Sequence, residues 1–245
     1  MKKYLVIALL ALAPAWVLAA GGGVHLDKAN IDPTNKQSLQ RGARIFVNYC
    51  LSCHSAALMR YERMGTDLGI DEKLVSENLM FTGGKVGELM TVATAADDAK
   101  EWFGIVPPDL SVIARARGVD WLYTYMRSFY RDDSRHIGVN NLVFPDVGMP
   151  NVLWELQGIQ EPVITTVKGH DGTEHKVVKL ELSESGLQTP KEFDRTVRDL
   201  VNFLDYMGEP AKYDRRQLGT RVILFLLVFL VLAYLLKRNY WKDIH

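Results

Sequence analysis

Cys50, Cys53 and His54 are the residues whose types and spacing point most directly to chemistry. They stand in the run Cys50-Leu51-Ser52-Cys53-His54. A C-x-x-C-H run is the attachment pattern of c-type haem. Two thiols on one turn can each add across a vinyl group of the same porphyrin. The histidine that follows can then present its imidazole to the iron from the proximal side. Two other readings compete. Half of a zinc site would need a second cysteine or histidine pair, and Cys50 and Cys53 are the only cysteines in the chain. A dithiol redox pair would make the histidine incidental, and a disulfide at this spacing closes too small a loop to brace anything. The pattern favours one covalently attached haem c.

A second iron ligand must come from elsewhere. Methionine would give His/Met ligation, which raises the reduction potential and suits electron transfer. The chain has eight methionines. Met149 lies in Val143-Phe144-Pro145-Asp146-Val147-Gly148-Met149-Pro150-Asn151, a loop stiffened by two prolines and far enough along to wrap a macrocycle. Met59 and Met64 follow the cysteines too closely to reach the opposite face, and Met80, Met90, Met126 and Met207 read as packing. His136, after Asp132, Asp133 and Arg135, is the rival ligand and reads as a surface residue. Arg115 and Arg117 sit in an otherwise apolar segment behind Pro107-Pro108-Asp109-Leu110-Ser111. An arginine fork suits carboxylates such as haem propionates; each could equally be an ordinary surface arginine.

These residues need elements to hold them. The 245 residues are 48% hydrophobic and 24% charged, enough for a sizeable core, and the formal net charge is zero. No basic block is present, which argues against a nucleic-acid partner. Residues 36–49 read as a helix whose face carries Leu39, Gly42, Ile45, Phe46 and Tyr49, with Gly42 suggesting a close helix contact. It delivers the chain directly into Cys50. A further helix is expected over 71–81, and Asp109 or Ser111 is expected to cap the one after it. Trp121, Tyr123, Tyr125, Phe129 and Tyr130 read as core rather than cofactor wall. Strand-like runs at 163–167 and 176–180, with turn residues at 169–172, predict a β-hairpin; His170 and His175 belong to its turn and surface. Thr189-Pro190-Lys191-Glu192 opens a helix that stops at Gly208-Glu209-Pro210. Its Leu200, Phe203 and Leu204 offer a face for the first helix to cross.

The two ends read as targeting and anchoring segments. Residues 1–19, with Lys2 and Lys3 before an apolar stretch, form a secretory signal peptide cleaved before Ala20. A haem domain would then run over 20–211, a linker over 212–217, a transmembrane helix over 218–236 and a short tail over 237–245. The apolar run approaches the roughly 20 residues a spanning helix needs. Arg221 can snorkel toward headgroups, and Lys237, Arg238, Tyr240 and Trp241 form an interfacial flank. Basic residues on the two sides do not decide orientation. The signal peptide does: it implies a bacterial inner-membrane protein with its haem domain in the periplasm and its C-terminus in the cytoplasm.

Taken together, Arg41-Gly42 with the cysteine motif, Pro107-Pro108-Asp109-Leu110-Ser111 with Ala114-Arg115-Ala116-Arg117, Gly148-Met149-Pro150 and the terminal anchor resemble the cytochrome c1 family in a proteobacterial form. That family supplies the haem subunit of the cytochrome bc1 complex. The resemblance implies a mainly α fold: a cytochrome c-like haem domain with an inserted β-hairpin and a single C-terminal transmembrane helix. It implies covalent haem at Cys50 and Cys53, axial ligation by His54 and Met149, a propionate contact at Arg117 with Arg115 nearby, and Pro108 lining the haem edge. One electron would arrive from the Rieske iron–sulfur protein and leave to a soluble or tethered c-type cytochrome. Cytochrome b would be the membrane partner and the place where quinol reacts, so the chain would not be an enzyme on its own. The stretch after Arg117 is shorter than in mitochondrial relatives, so no contact carries over to Trp121 or Tyr123. Two other classes remain: a membrane-anchored c-type carrier outside any bc1 complex, and a peroxidase-like haem enzyme with an open distal position.

Overall fold

A computed structural model describes residues 24–81, 84–92, 94–168 and 174–242. The expected signal peptide, its cleavage point, the turn at 169–172 with His170, and the end of the tail lie outside the described residues.

The core is built on two crossing helices far apart in sequence. Helix α1, Lys36–Ile45, starts where the Asn35 side chain accepts a 3.0 Å hydrogen bond from the Ser38 amide. It buries Ser38, Leu39, Gly42, Ala43 and Ile45, the face expected from apolar spacing. The single helix expected through Tyr49 instead changes pitch. Phe46–Cys50 is a π-helical turn, and the Leu51 amide donates to the Phe46 carbonyl at 3.0 Å. Such wide turns recur at functional sites, and this one ends on Cys50.

The partner helix, Pro190–Gly208, begins with a capping box. Thr189 and Glu192 satisfy each other's backbone amides, with Pro190 in the first turn. Gly42 is where the two helices touch: a Cβ there would overlap the Asp199 carbonyl oxygen and lie 2.7 Å from the Phe203 Cβ. The Phe46 and Phe203 rings stand 5.6 Å apart. Ser38 Oγ and Arg41 Nε both donate to the buried Asp199 carboxylate at 2.6 Å. Apolar area and a paired charge therefore lock the same crossing.

The other helices between these two are short. Helices Tyr61–Leu68, Ile113–Arg117, Val119–Arg127 and Trp154–Gln157 pack on the crossing pair, Glu72–Asn78 packs on Tyr61–Leu68, and Ala96–Phe103 lies between Glu72–Asn78 and Ile113–Arg117 in chain order. Among the described residues the strands form antiparallel pairs: Ala56–Arg60 with Leu89–Met90, Phe129–Arg131 with Val139–Asn141, and Gly158–Lys168 with Glu174–Ser185. The last pair is longer than the expected strands. It starts at Gly158, whose φ of 89° and close approach to the Glu184 backbone only glycine accommodates.

The final helix, Lys212–Tyr240, has 29 residues and spans about 43 Å at 1.5 Å per residue. Residues 212–217, expected as a linker, are its first turns. Three residues separate it from Gly208. Lys212 Nζ reaches both Asp205 carboxylate oxygens at 2.9 Å, and Arg215 pairs with Glu209. Its Leu, Val and Phe side chains are exposed from Leu218 to Leu236. By length and composition it can cross a membrane.

Candidate haem-binding site

Cys50 ends the π-helical turn and is buried; Cys53 is half-buried, and the two sulfurs are not bonded to each other. The Cys53 and His54 amides both donate to the Cys50 carbonyl, at 3.1 and 2.8 Å. That tight turn gathers the two thiols and the imidazole. Burial, with Cys53 adding to it, pushes the Cys50 thiol up to about 12.

His54 Nδ1 lies 2.8 Å from the Pro108 carbonyl oxygen. A carbonyl can only accept, so Nδ1 carries the proton and Nε2 keeps its lone pair for a metal. Burial lowers the affinity of the ring for a second proton, while Pro108 and Asp109 act the other way. The family resemblance implies Pro108 at the haem edge; what its backbone oxygen does is orient the histidine.

The segment that presents Pro108 is stapled to the chain just after the cysteines. The Leu110 amide donates to the Ser55 carbonyl at 2.8 Å. Asp109 accepts from the Ala57 and Ser111 amides at 2.8 Å each, and Ser111 Oγ accepts from the Leu58 amide at 3.0 Å. The expectation that Asp109 or Ser111 caps the next helix does not hold: Ile113–Arg117 has no side-chain cap. Both side chains are committed to holding the loop on residues 55–58.

Met149 sits half-buried in the loop after Val139–Asn141. Two buried asparagines shape that loop. Asn141 Oδ1 accepts from the Val143 and Phe144 amides at 2.9 and 3.2 Å, and Asn140 Oδ1 accepts from the Asp146 amide at 2.9 Å. A Cβ on Gly148 would already be 3.4 Å from Ile105 Cγ2, so the residue before the methionine packs against the Pro107–Pro108 arm. The Tyr125 hydroxyl donates to Met149 Sδ at 3.5 Å. Burial raises the pKa of this phenol, which keeps it a neutral donor. Its ring stacks on Trp121 at 4.9 Å and meets Phe129 edge-on at 5.1 Å. Tyr125 reads as core from the sequence and is core. Its i,i+4 spacing from Trp121 announces the ring stack but not the contact with the sulfur.

Arg117 is exposed, its guanidinium carbon 5.0 Å from the Trp121 ring centroid and 5.7 Å from that of Phe144. Stacking fixes the plane and leaves the charge open to an anion. Arg115 is held differently: its stem runs along Gly208, where a Cβ would meet Arg115 Cγ at 3.3 Å. His136 is exposed, while Met59, Met64, Met90, Met126 and Met207 are buried in packing.

The donor set suits a haem c. It offers two thiols, one imidazole nitrogen left free by the Pro108 contact, and one thioether sulfur. Exposed Ile105, Val106 and Phe144 flank the same segments and offer apolar surface to a macrocycle. Among the described residues no group of three or more Cys, His, Asp or Glu stands close enough together to hold a bare metal ion. A groove of about 930 Å³ between Arg41, Arg44, Leu187 and Arg195 contains none of the haem candidates.

Comparison with known proteins follows the same line. Residues 28–244 match the Cytochrome C1 family. A protein named cytochrome c1 from Allochromatium vinosum is 51% identical over 246 residues, covering 100% of both chains. A protein named ammonia monooxygenase gamma subunit from Nitrosomonas europaea is 51% identical over 247 residues, covering 100% of this chain and 99% of its own. The mitochondrial cytochrome c1 haem protein of Neurospora crassa is 29% identical over 231 residues, covering 84% of this chain and 62% of its own.

Proposed function

Because the chain belongs to the cytochrome c1 family, whose members are haem subunits of the bc1 complex, we propose that it carries one electron from the Rieske iron–sulfur protein to a soluble or tethered c-type cytochrome. Haem c, bound through Cys50 and Cys53, supplies a one-electron iron couple. His54, with Nδ1 held by Pro108, would hold the iron through Nε2. Met149, in its braced loop, would supply the thioether that completes the iron's ligand set and so would leave no place for a substrate. Arg117 would hold a propionate, Arg115 would add positive charge from the same short helix, and Pro108 would lie at the edge of the group. What supports this reading is a C-x-x-C-H motif whose imidazole is oriented by a backbone carbonyl, on a chain matching one family over 28–244.

In this reading the chain is an electron-transfer subunit, and quinol reacts in its partner, cytochrome b. The signal peptide directs residues 20–211 to the periplasm. The terminal helix anchors the chain once in the inner membrane and leaves the C-terminus in the cytoplasm. The long hairpin from Gly158 is an insertion into the haem domain.

Two experiments test it. Met149→Leu in the purified complex should lower the reduction potential and alter the ferric spectrum, since a thioether ligand favours ferrous iron; unchanged values would end the His/Met assignment. Detergent extraction should bring out cytochrome b and a Rieske subunit with this chain. The name of the Nitrosomonas europaea relative favours watching for a second outcome, in which the chain extracts with an ammonia-oxidising enzyme instead.

A further inference from the structure

Tyr125 touches the Met149 loop at two places. Its hydroxyl reaches Met149 Sδ at 3.5 Å. Its backbone carbonyl accepts a 2.8 Å hydrogen bond from Asn141 Nδ2, and the other end of that amide holds the Val143 and Phe144 amides at the start of the loop. One residue of helix Val119–Arg127 therefore fixes both where the loop begins and where its sulfur sits. The helix itself is anchored: Trp121 stacks on Tyr125, Asp120 accepts from the Ala29 amide at 2.9 Å, and Leu122, Tyr123 and Met126 are buried.

We propose that Tyr125 is a positioning and tuning residue for the axial sulfur, donating its hydroxyl hydrogen to one lone pair of Met149 while the other faces the iron. This rests on Met149 being the sixth ligand. A thioether has two lone pairs, so both bonds can exist together. A hydrogen bond to the sulfur draws electron density away from the iron. It thereby weakens support for the ferric state and raises the reduction potential, the lever that outer hydrogen bonds exert on metal ligands. It also removes a rotational degree of freedom from an unbranched side chain with three rotatable bonds. Helix packing thus reaches the iron through a single hydroxyl.

The test compares Tyr125→Phe, Tyr125→Leu and Met149→Leu in the intact haem-loaded complex. Phenylalanine keeps the ring that stacks on Trp121 and meets Phe129, so it removes the hydroxyl alone. Three quantities are read: the midpoint of the redox titration, the sulfur-to-iron charge-transfer band of the ferric protein, and displacement of the sulfur by added imidazole. At a fixed ambient potential Tyr125→Phe should shift the reduced-to-oxidised ratio toward oxidised by about two- to fivefold, the share expected of one modest hydrogen bond. Its charge-transfer band should move, and imidazole should displace the sulfur only at higher concentration, because a sulfur freed of the hydroxyl donates more strongly to ferric iron. If Tyr125→Phe matches the native complex in all three while Met149→Leu does not, the proposal is overturned and the ligand assignment stands. If only Tyr125→Leu departs, ring packing rather than the hydroxyl acts, and the proposal is also overturned. If Met149→Leu itself changes nothing, the ligand assignment has failed and the role of Tyr125 falls with it.

Discussion

His54 Nδ1 and the Pro108 carbonyl oxygen lie 2.8 Å apart across a sequence separation of 54 residues. The imidazole that follows the cysteines is therefore aimed by a distant backbone atom. No side-chain substitution at Pro108 can delete that acceptor. What can be changed is the staple that presents it, and Asp109 is its main pin.

Asp109→Ala removes the acceptor for the Ala57 and Ser111 amides. The carboxylate is largely exposed, so the expected loss is about 1 kcal/mol rather than the upper range for charged hydrogen bonds. The pH dependence has a definite sign. Burial tends to raise this carboxyl's pKa, but hydrogen bonds from Ala57 and Ser111 outweigh it and hold the group below its ordinary value. A depressed folded-state pKa means stability that is fully present above the unfolded value near 3.8 and lost as pH falls through the folded value. Urea titrations from pH 5 downward should show the native protein losing this increment while Asp109→Asn stays flat in that respect. Parallel curves for the two proteins would refute the account.

Gly42→Ala should be severe for so small a change. The added methyl would overlap the Asp199 carbonyl oxygen, a backbone atom that cannot rotate away. The two helices would have to separate, at about 3 kcal/mol, the upper part of the overpacking range. A urea midpoint close to the native one would show that the helices can part at little cost.

Asp199→Ala strips the Ser38 and Arg41 donors of their acceptor at the same crossing. Arg41 is about half exposed and can turn to water, so the expected loss is about 2 kcal/mol, below that for a fully buried pair. Combined with Arg41→Ala, the two losses should fall short of additivity, because each removes the same interaction. A double-mutant cycle in urea measures the shortfall, and strict additivity would deny the coupling.

Arg117→Gln should lower the reduction potential modestly, because a positive charge near the iron favours the ferrous state. Since the guanidinium is exposed, the shift should shrink as salt rises. Redox titrations at two ionic strengths check both the sign and the screening.

Much of this architecture was legible because its signals are local. The capping box at Thr189 and Glu192, the demand for a small residue at Gly42 and the apolar run after Leu218 each depend on a few neighbouring residues, and each is found. The wider turn at Phe46–Cys50 leaves no mark in apolar spacing, since a shift from i+4 to i+5 bonding buries nearly the same side chains. The partners of His54 and Met149 were hidden for another reason. One is a backbone oxygen, which no residue type announces. The other is a tyrosine hydroxyl whose ring satisfies every sign of ordinary core. Asp109 and Ser111 misled because a carboxylate or hydroxyl before a helix signals a cap, and here longer-range amides on residues 57 and 58 took the acceptors instead.

The helix that begins at Lys212 leaves only three residues between the domain and its anchor, and Lys212 is clasped to Asp205 from the far side of that gap. A mast welded to its deck cannot lean toward a visitor. If the domain stands at a fixed height and heading above the bilayer, every displacement needed to bring redox centres within tunnelling range falls to the molecules that approach it. A flexible Gly-Ser insert between Gly208 and Lys212 would hand some of that freedom back, and the arriving centre would then meet a target that no longer holds still.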